Sequence, residues 1–294
     1  MLFDTKAISL DELKDPLLMA NEVRVFVLRL DKIHPIVSGN KLFKLHYFLE
    51  EALESGLPVQ TYGGAYSNHL VATAYACKHL NIACKGIVRG EAPAQWSHTL
   101  LSCKELGMQL EFVSRSAYSE MAILDTKSDH YVNIPEGGYH PTGAKGAALI
   151  LKHLSTNNFS HICTATGTAT TLAGILLQAD PQQQILGYAS LKGLDDIPER
   201  LQFLTGQDRF DNLQLISDYH FGGYAKKTTA LLAFMNELYR KFELPTDFVY
   251  TAKMMFGIFD QLQDGFFAKG SNILCIHTGG LQGNLSLPAG SIHF

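Results

Sequence analysis

Short apolar segments alternate with helical segments along most of the chain, and turns that contain glycine separate the two. Residues 23–30 predict a strand, and residues 40–55 predict a helix whose apolar positions recur every three to four residues before Gly56 ends it. A second strand over 59–62 leads through two glycines into a helix over 69–80. Because parallel strands need a crossover connection, usually a helix, this alternation predicts an α/β fold built from parallel βαβ units.

The same pattern continues towards the C-terminus without a repeat or a low-complexity tract. Further strands are predicted over 83–88, 110–113, 161–165, 185–190 and 273–277. Further helices are predicted over 99–106, 144–154, 170–178, 228–241 and 254–263. Open α/β sheets bind ligands at the carboxyl ends of their strands, so the turns that follow the strands are where we expect a functional site.

The composition argues against several classes of protein. Apolar residues make up 46% of the 294 residues and charged residues 18%, which supplies enough apolar material for a packed core. The net charge of −4 argues against nucleic acid as a partner, because phosphate binding needs a cationic surface. The apolar runs are far shorter than a membrane span, and acidic residues stand where a secretory signal would be basic. We therefore expect no membrane partner and no export.

The five cysteines are an odd number and include no CxxC pair. This pattern predicts neither a set of disulfides nor a zinc cluster, so we expect no metal site. Unpaired thiols are typical of a reducing compartment, and they favour a cytoplasmic protein.

The first candidate loop is SGNK over 38–41, at the start of a predicted helix. Lys41 lies in the first helical turn, where the positive end of the helix dipole disfavours a cation. One interpretation is a solvated surface lysine. The other is an amine used for imine chemistry, which requires a pKa lowered by burial or by nearby positive charge. The local sequence leaves both interpretations open.

The second candidate loop is GGAYSNH over 63–69, between a predicted strand and a predicted helix. Its glycines permit close approach to the backbone, and Ser67 or Asn68 would cap the helix. A well-capped helix explains the loop by itself. Alternatively, the free N–H groups, the Ser67 hydroxyl and the Asn68 amide would together hold a carboxylate.

The third candidate loop is TATGTATT over 164–171, again before a helix. Small and hydroxyl residues around a glycine at a helix N-terminus are suited to cradle a phosphate. The loop lacks the GK[ST] ending of a Walker loop and the GxGxxG pattern of dinucleotide-binding enzymes, which argues against a nicotinamide-dependent dehydrogenase. A loop without a ligand remains the alternative. A lysine, a carboxylate site and a phosphate site nevertheless form a coherent set.

These motifs, taken in order, resemble a known family. The segments SGNKLFKL, GGAYSNH, TGTATTLAG, VYTAKMM and IHTGG, from residue 38 to residue 280, are similar to the D-cysteine desulfhydrase/1-aminocyclopropane-1-carboxylate deaminase group. The members of that group are pyridoxal-phosphate enzymes with the fold of the tryptophan synthase β-subunit. This chain departs from the family pattern in its threonine-rich loop, and in GGYAKK where the family has a YGVPN-like stretch. The resemblance implies pyridoxal 5'-phosphate as the cofactor and a small amino acid as the substrate.

The resemblance also implies a two-lobed α/β architecture of fold type II, in which each lobe is an open, mostly parallel sheet flanked by helices. A large cofactor-binding domain would comprise residues 1–43 plus 135–294, and a small domain would comprise residues 44–134. A homodimer is expected from the family.

Site roles follow from the resemblance, residue by residue. Lys41 would bind the cofactor as an imine, and Asn68 would bind its phenolic oxygen, while Thr278 would face its pyridine nitrogen. The implied catalytic residues are Lys41, Ser67, Tyr250 and Tyr224. The implied cofactor-binding residues are Lys41, Asn68, Thr166, Gly167, Thr168, Ala169, Thr170, Thr171 and Thr278. The implied substrate-binding residues are Ser67, Asn68, His69 and Thr251. Lys44 either lowers the pKa of Lys41 or is solvated.

The activity that the resemblance favours is elimination of hydrosulfide from D-cysteine or a similar β-substituted amino acid. The alternative is 1-aminocyclopropane-1-carboxylate deaminase, whose pattern resembles VYEGK and HLGG where this chain has VYTAK and HTGG. A neutral hydroxyl at Thr251 or Thr278 does not favour a protonated pyridine as a carboxylate does, and this favours the lyase. A non-catalytic small-molecule binding protein on the same fold is the remaining class.

Overall fold

The computed structural model describes residues 2–34, 37, 39–123, 128–152 and 154–294. The strands in these ranges are β1 (Leu10–Leu13), β2 (Arg24–Arg29), β3 (Val59–Gly63), β4 (Cys84–Arg89), β5 (Gln109–Val113), β6 (Val132–Ile134), β7 (His161–Thr166), β8 (Gln184–Ala189), β9 (Leu213–Ile216) and β10 (Asn272–His277). The helices are α1 (Pro16–Ala20), α2 (Lys41–Ser55), α3 (Asn68–His79), α4 (His98–Glu105), α5 (Arg115–Ile123), α6 (Pro141–Lys152), α7 (Thr170–Gln178), α8 (Ile197–Thr205), α9 (Thr229–Phe242) and α10 (Thr251–Gln263). Short 3-10 helices cover Leu30–Ile33, Glu136–Gly138 and Leu281–Ser286.

The strands form two separate sheets. The larger sheet has the order β1-β2-β10-β7-β8-β9, with β1 antiparallel to β2 and the other neighbours parallel. The smaller sheet has the order β5-β4-β3-β6, and its strand pairs are parallel. Helices flank both sheets. The α/β architecture with two mostly parallel sheets, predicted from the sequence, is therefore confirmed.

Helix α2 connects the cores of the two sheets. Its side chains Leu45 and Leu49 are buried in the cluster that packs on the smaller sheet. Phe43, on another face of the helix, belongs to a cluster with α6 and α7 on the larger sheet. A helix that packs apolar residues on two of its faces is fixed from two sides, and this explains how α2 holds Lys41 in a fixed place relative to both sheets.

The strands and helices that the sequence predicted are present, most with ends shifted by one to three residues. The strands β1 and β9, by contrast, were missed. Both lie at the edges of the larger sheet and are partly exposed, so they lack the apolar run that identifies an interior strand. Strand β6 and helices α1, α5 and α8 were missed as well. Ser38, and residue 153 of the predicted helix over 144–154, lie outside the described residues.

The division into domains stays a prediction. Its first boundary, after residue 43, falls within α2, and its second, after residue 134, coincides with the end of β6. The described helices include none with the length and apolarity that a bilayer crossing requires.

Candidate active site

A cavity of about 820 Å³ lies where the carboxyl ends of β3, β7 and β10 meet. All three candidate loops contribute to its wall. The sequence-predicted site residues in that wall are Lys41, Ser67, Asn68, His69, Thr166, Gly167, Thr168, Ala169, Thr170, Thr171, Tyr224, Tyr250 and Thr278. The structure thus brings together segments that are more than 200 positions apart in the sequence.

Lys41 is the first residue of α2, and its half-buried side chain reaches the cavity. Its Nζ donates to Asn40 Oδ1 at 2.8 Å, and Asn40 Nδ2 in turn donates to Thr171 Oγ1 at 2.6 Å. Burial lowers the pKa of Lys41 to about 8, although the negative charge of Asp247 opposes that shift. Of the two interpretations of this lysine, the structure supports the desolvated amine.

The backbone before Lys41 packs directly on the loop that carries Thr278. Gly39 has a φ of +91°, and a Cβ at that position would lie 1.9 Å from Thr278 O. Asn40 N also donates to Thr278 O at 3.2 Å. Only glycine fits this close approach, which holds the Lys41 loop against the end of β10.

Lys44 lies one helical turn after Lys41 and is almost fully buried. Its Nζ donates to Gly137 O at 3.3 Å. Burial and the charge of Lys41 both hold the pKa of Lys44 well below its usual range. Of the two possibilities left open by the sequence, solvation is therefore wrong, and the charge of Lys41 disfavours the charged form of Lys44.

His69 is buried, and its ring contacts Thr61 rather than standing free in the cavity. The Thr61 hydroxyl donates to Ile134 O at 2.9 Å, so it accepts from His69 Nε2, also at 2.9 Å. Burial, with the nearby charges of Lys41 and Lys44, lowers the pKa of His69 to about 3. A neutral imidazole has one N–H, which Thr61 uses, so the geometry does not favour the predicted contact of this ring with a substrate carboxylate.

Ser67 and Asn68 begin α3 as the second candidate loop predicted. Ser67 is the N-cap, and its Oγ accepts from the backbone N–H groups of residues 69 and 70, both at 3.3 Å. Accepting these bonds leaves the hydroxyl proton available to an anion. Asn68 Oδ1 accepts from Gln282 Nε2 at 2.7 Å, while Asn68 Nδ2 lies 3.5 Å from Gly280 O. Gln282 therefore orients the Asn68 amide so that its N–H₂ group is the part left for a ligand.

The threonine loop joins β7 to α7 and is largely buried. Thr168 and Thr170 share a hydrogen bond of 3.0 Å between their hydroxyl groups. Thr166 Oγ1 is buried and has no hydrogen-bond partner among the described residues. The first N–H groups of a helix have no partner within the helix, so α7 points unpaired donors at this place. These features suit a bound anion.

Tyr250 and Thr251 lie at the start of α10, and only Tyr250 reaches the cavity wall. Thr251 is fully buried, and its Oγ1 donates to Asp247 Oδ1 at 2.6 Å. The buried Asp247 carboxylate also accepts from the N–H groups of Val249, Tyr250 and Thr251, at 2.9–3.0 Å. The predicted contact of Thr251 with substrate is not what this geometry favours, because its hydroxyl is used to hold Asp247.

Tyr224 stands at the mouth of the cavity, with 57% of its surface exposed. The loop that carries it is bound by Lys253, a fully buried lysine in the first turn of α10. Lys253 Nζ donates to the carbonyl oxygens of Ser190, His220 and Gly223 at 3.0, 2.9 and 2.8 Å. Burial lowers the pKa of Lys253 to about 8.

Three residues that shape this site were missed by the sequence analysis: Gln282, Asp247 and Lys253. Two of them had a visible signal, since Lys253 is the last residue of the VYTAK motif and Asp247 lies two residues before it, where a side chain can accept from the first N–H groups of a helix. Gln282 had none, because its partner Asn68 is 214 positions away. Within the described part of the chain, no cluster of three or more His, Cys, Asp or Glu residues is arranged to hold a metal ion.

Comparison with known proteins agrees with this geometry. Residues 5–279 match the model of a family described as pyridoxal-phosphate dependent enzyme. A Pyrococcus horikoshii protein, provisionally named a 1-aminocyclopropane-1-carboxylate deaminase, is 28% identical over 282 residues, which cover 88% of this chain and 85% of the relative. A D-cysteine desulfhydrase of Serratia proteamaculans is 28% identical over 287 residues, 87% of either chain. The crystal structure of an ACC deaminase homologue superposes with a TM-score of 0.79 and 26% identity, over 97% of this chain and 92% of that one.

Proposed function

Since this chain belongs to the pyridoxal-phosphate dependent enzymes, we propose that it is a lyase that releases hydrosulfide from D-cysteine or a similar small β-substituted amino acid. With water, D-cysteine would give pyruvate, ammonia and hydrogen sulfide. One observation carries the proposal: a desolvated amine, an anion site and a second helix N-terminus all border the same cavity of about 820 Å³.

The residues present fit pyridoxal phosphate. Thr166 Oγ1 is a buried oxygen without a partner among the described residues, and the unpaired N–H groups of α7 lie beside it. Residues 166–171 would bind the phosphate, while Lys41 would bind the aldehyde carbon and Thr278 would face the pyridine nitrogen. When bound, the cofactor supplies an electron sink for negative charge that develops at the substrate Cα.

Lys41 is the group that would take the α-proton. A general base works best when its pKa lies near the operating pH, and the pKa of Lys41 is lowered to about 8. Its amine has Asn40 Oδ1 as a partner at 2.8 Å, so it is oriented without losing its lone pair. Lys44, whose pKa is lowered by burial and by the charge of Lys41, would stay largely uncharged beside it.

The start of α3 would hold the substrate carboxylate. Ser67 presents a hydroxyl proton there, and the dipole of α3 favours an anion at the same end. Asn68, whose orientation is set by Gln282, would direct its N–H₂ group to the phenolic oxygen of the cofactor. Fixing the carboxylate also fixes which bond to Cα lies perpendicular to the cofactor ring, and so which bond breaks.

Tyr250 and Tyr224 would complete the site on its other side. Burial raises the pKa of Tyr250 above its usual range, so its phenol stays protonated and acts as a donor. Tyr224 reaches the same cavity from the mouth. Together they would hold the β-substituent of the substrate as it leaves.

A second candidate function is opening of the 1-aminocyclopropane-1-carboxylate ring. The observation in its favour is the likeness to the ACC deaminase homologue, with a TM-score of 0.79. That substrate has no α-proton, so its reaction asks more of the electron sink than an elimination does. A hydroxyl at Thr278 favours a protonated pyridine less than a carboxylate would, and this supports the lyase.

The test is a direct comparison of substrates. The purified holoprotein is incubated with D-cysteine, L-cysteine and 1-aminocyclopropane-1-carboxylate, and sulfide, 2-oxo acid and ammonia are measured. We expect equal amounts of sulfide, pyruvate and ammonia from D-cysteine, little turnover of the cyclopropane, and no turnover by Lys41→Ala. Ring opening without sulfide release would favour the deaminase instead, and inertness towards all three would contradict both functions.

We also propose a homodimer, in keeping with the family resemblance, and the division into domains 1–43 plus 135–294 and 44–134. Sedimentation equilibrium tests the first, and limited proteolysis near residue 134 tests the second. The five cysteines are all free and buried, which supports a cytoplasmic location. Localisation of the tagged protein by fractionation tests that assignment.

A further inference from the structure

Lys253 is a buried cation with a complete set of partners, although it does not line the cavity. It is 1% exposed, and its ammonium group points away from water into a ring of three backbone carbonyls. An ammonium has three N–H donors, and the three carbonyl oxygens lie 2.8–3.0 Å from Nζ. The match between donors and acceptors offsets part of the cost of desolvating the charge.

The three carbonyls belong to the two segments that lead to the mouth of the cavity. Ser190 follows β8, and its backbone N–H donates to Thr166 O at 3.0 Å, at the head of the threonine loop. His220 and Gly223 lie in the connection between β9 and α9, immediately before Tyr224. Lys253 therefore ties the threonine loop and the tyrosine loop to the first turn of α10.

The tyrosine loop, residues 218–226, has a costly backbone conformation. Four of its residues have φ values in the left-handed region, and two of these are not glycine, namely Phe221 at +52° and Ala225 at +53°. Such residues persist only where surrounding contacts determine the conformation. Because the side chain of Tyr224 is 57% exposed, packing alone does not hold it.

From these contacts we propose that Lys253 is a positioning residue, whose three hydrogen bonds hold the tyrosine loop closed so that Tyr224 stands over the cavity. This inference rests on the proposed function only where it concerns turnover. The structural part, that Lys253 closes the loop, holds whatever the substrate is.

The first test measures the loop itself, by amide hydrogen exchange in the holoprotein without substrate. Lys253→Met keeps the bulk of the side chain and removes its charge and donors. We expect exchange in peptides covering 218–226 to rise at least tenfold, with peptides from α3 and α8 unchanged. Lys226→Met is the matched control, since Lys226 is an exposed lysine of the same loop. Unchanged exchange in the loop, or an increase spread evenly over the chain, would overturn the proposal.

The second test uses kinetics on whichever amino acid the holoprotein turns over. If Lys253 acts through Tyr224, Lys253→Met should lower kcat/KM, but add no further loss to Tyr224→Phe. If the losses of kcat/KM in the two single variants instead multiply in the double variant, Lys253 does not act through Tyr224.

Should Lys253→Met fail to fold, Lys253→Gln replaces it in both experiments, because its amide keeps two N–H donors. The expected change in exchange is again confined to 218–226, and its absence or even spread again overturns the proposal. Since the exchange experiment needs no substrate, failure of the proposed lyase activity leaves this test intact.

Discussion

Lys41 and Lys253 lie in the first turns of two helices that begin beside the same cavity. Both are desolvated, and burial lowers the pKa of each to about 8, against the opposing effect of the Asp247 charge. Their surroundings nevertheless differ. Lys253 has three carbonyl partners, whereas the only hydrogen bond described for Lys41 is the one to Asn40 Oδ1.

The difference shows that a lowered pKa does not by itself identify a reactive lysine. An ammonium whose three protons are all hydrogen-bonded has no lone pair to offer and no free direction in which to move. A desolvated amine with one side-chain partner keeps its lone pair and its freedom to move. The amine of Lys41 also faces a cavity. Hydrogen-bond satisfaction, rather than burial, distinguishes Lys253 from Lys41, the lysine proposed to react.

The largest expected effect comes from replacing each of the two lysines in turn and asking which variant still binds the cofactor covalently. Lys41→Ala should remove covalent cofactor attachment and abolish detectable turnover, since loss of the proton-transfer group alone costs about 10²–10⁴-fold. Lys253→Met should keep a borohydride-reducible adduct. Mass spectrometry of the reduced, digested protein reports both. An adduct that survives in Lys41→Ala would place the reactive amine elsewhere.

A second prediction concerns the phosphate that the threonine loop is proposed to bind. The double change Thr168→Val and Thr170→Val keeps the bulk of the loop and removes two hydroxyls, and each hydrogen bond to a charged group contributes about 1.5–3 kcal/mol. We expect the cofactor dissociation constant to rise by at least tenfold, measured by fluorescence titration of the apoprotein.

Thr164→Val is the control for this second prediction. Thr164 is the first residue of the TATGTATT segment, lies within β7, and is buried outside the cavity wall. Equal cofactor affinity in the double variant and this control would show that the Thr168 and Thr170 hydroxyls do not bind the cofactor.

A third prediction concerns Asp247, the charge that both lysines share. Its carboxylate accepts hydrogen bonds from three backbone N–H groups and from Thr251 Oγ1. Asp247→Asn should lower the free energy of unfolding by at least about 2 kcal/mol, because donors would be left facing an amide N–H₂ group. Urea denaturation measures this, and Thr251→Val should cost less, because it leaves three of the four bonds to the carboxylate in place and otherwise removes only the acceptor of the Asp247 N–H. A smaller loss in Asp247→Asn than in Thr251→Val would contradict this assignment.

The smallest expected effect is the pH dependence of Lys41 reactivity in the apoprotein. With a pKa of about 8, its free amine fraction should rise about tenfold between pH 7 and pH 9 and then level off. An exposed lysine with a pKa near 10.4 should gain about a hundredfold over that range. Reductive methylation followed by peptide mass spectrometry distinguishes the two, with Lys253 expected to stay unlabelled. Continued tenfold gains for Lys41 up to pH 10 would contradict the lowered pKa.

The sequence predicted the α/β fold and the three loops because those features depend on nearby residues. Helix α7 was expected over 170–178 and has those bounds, since a small-residue loop and an apolar run define it locally. Ser67 was expected to cap a helix and does so, because a cap bonds to amides only two or three residues away. The edge strands β1 and β9 were missed, since partial exposure weakens their apolar pattern.

What the sequence determined by itself is therefore the set of chemical groups: a lysine at a helix start, a capped loop, a run of threonines and two tyrosines. The tertiary structure decided which of them meet and in which state. His69 donates its N–H to Thr61, Thr251 donates to Asp247, and Lys253 is bound by three carbonyls from two segments of the chain. A pKa or a hydrogen-bond partner depends on burial and on charges brought together across hundreds of positions, and spacing along the chain does not encode either directly.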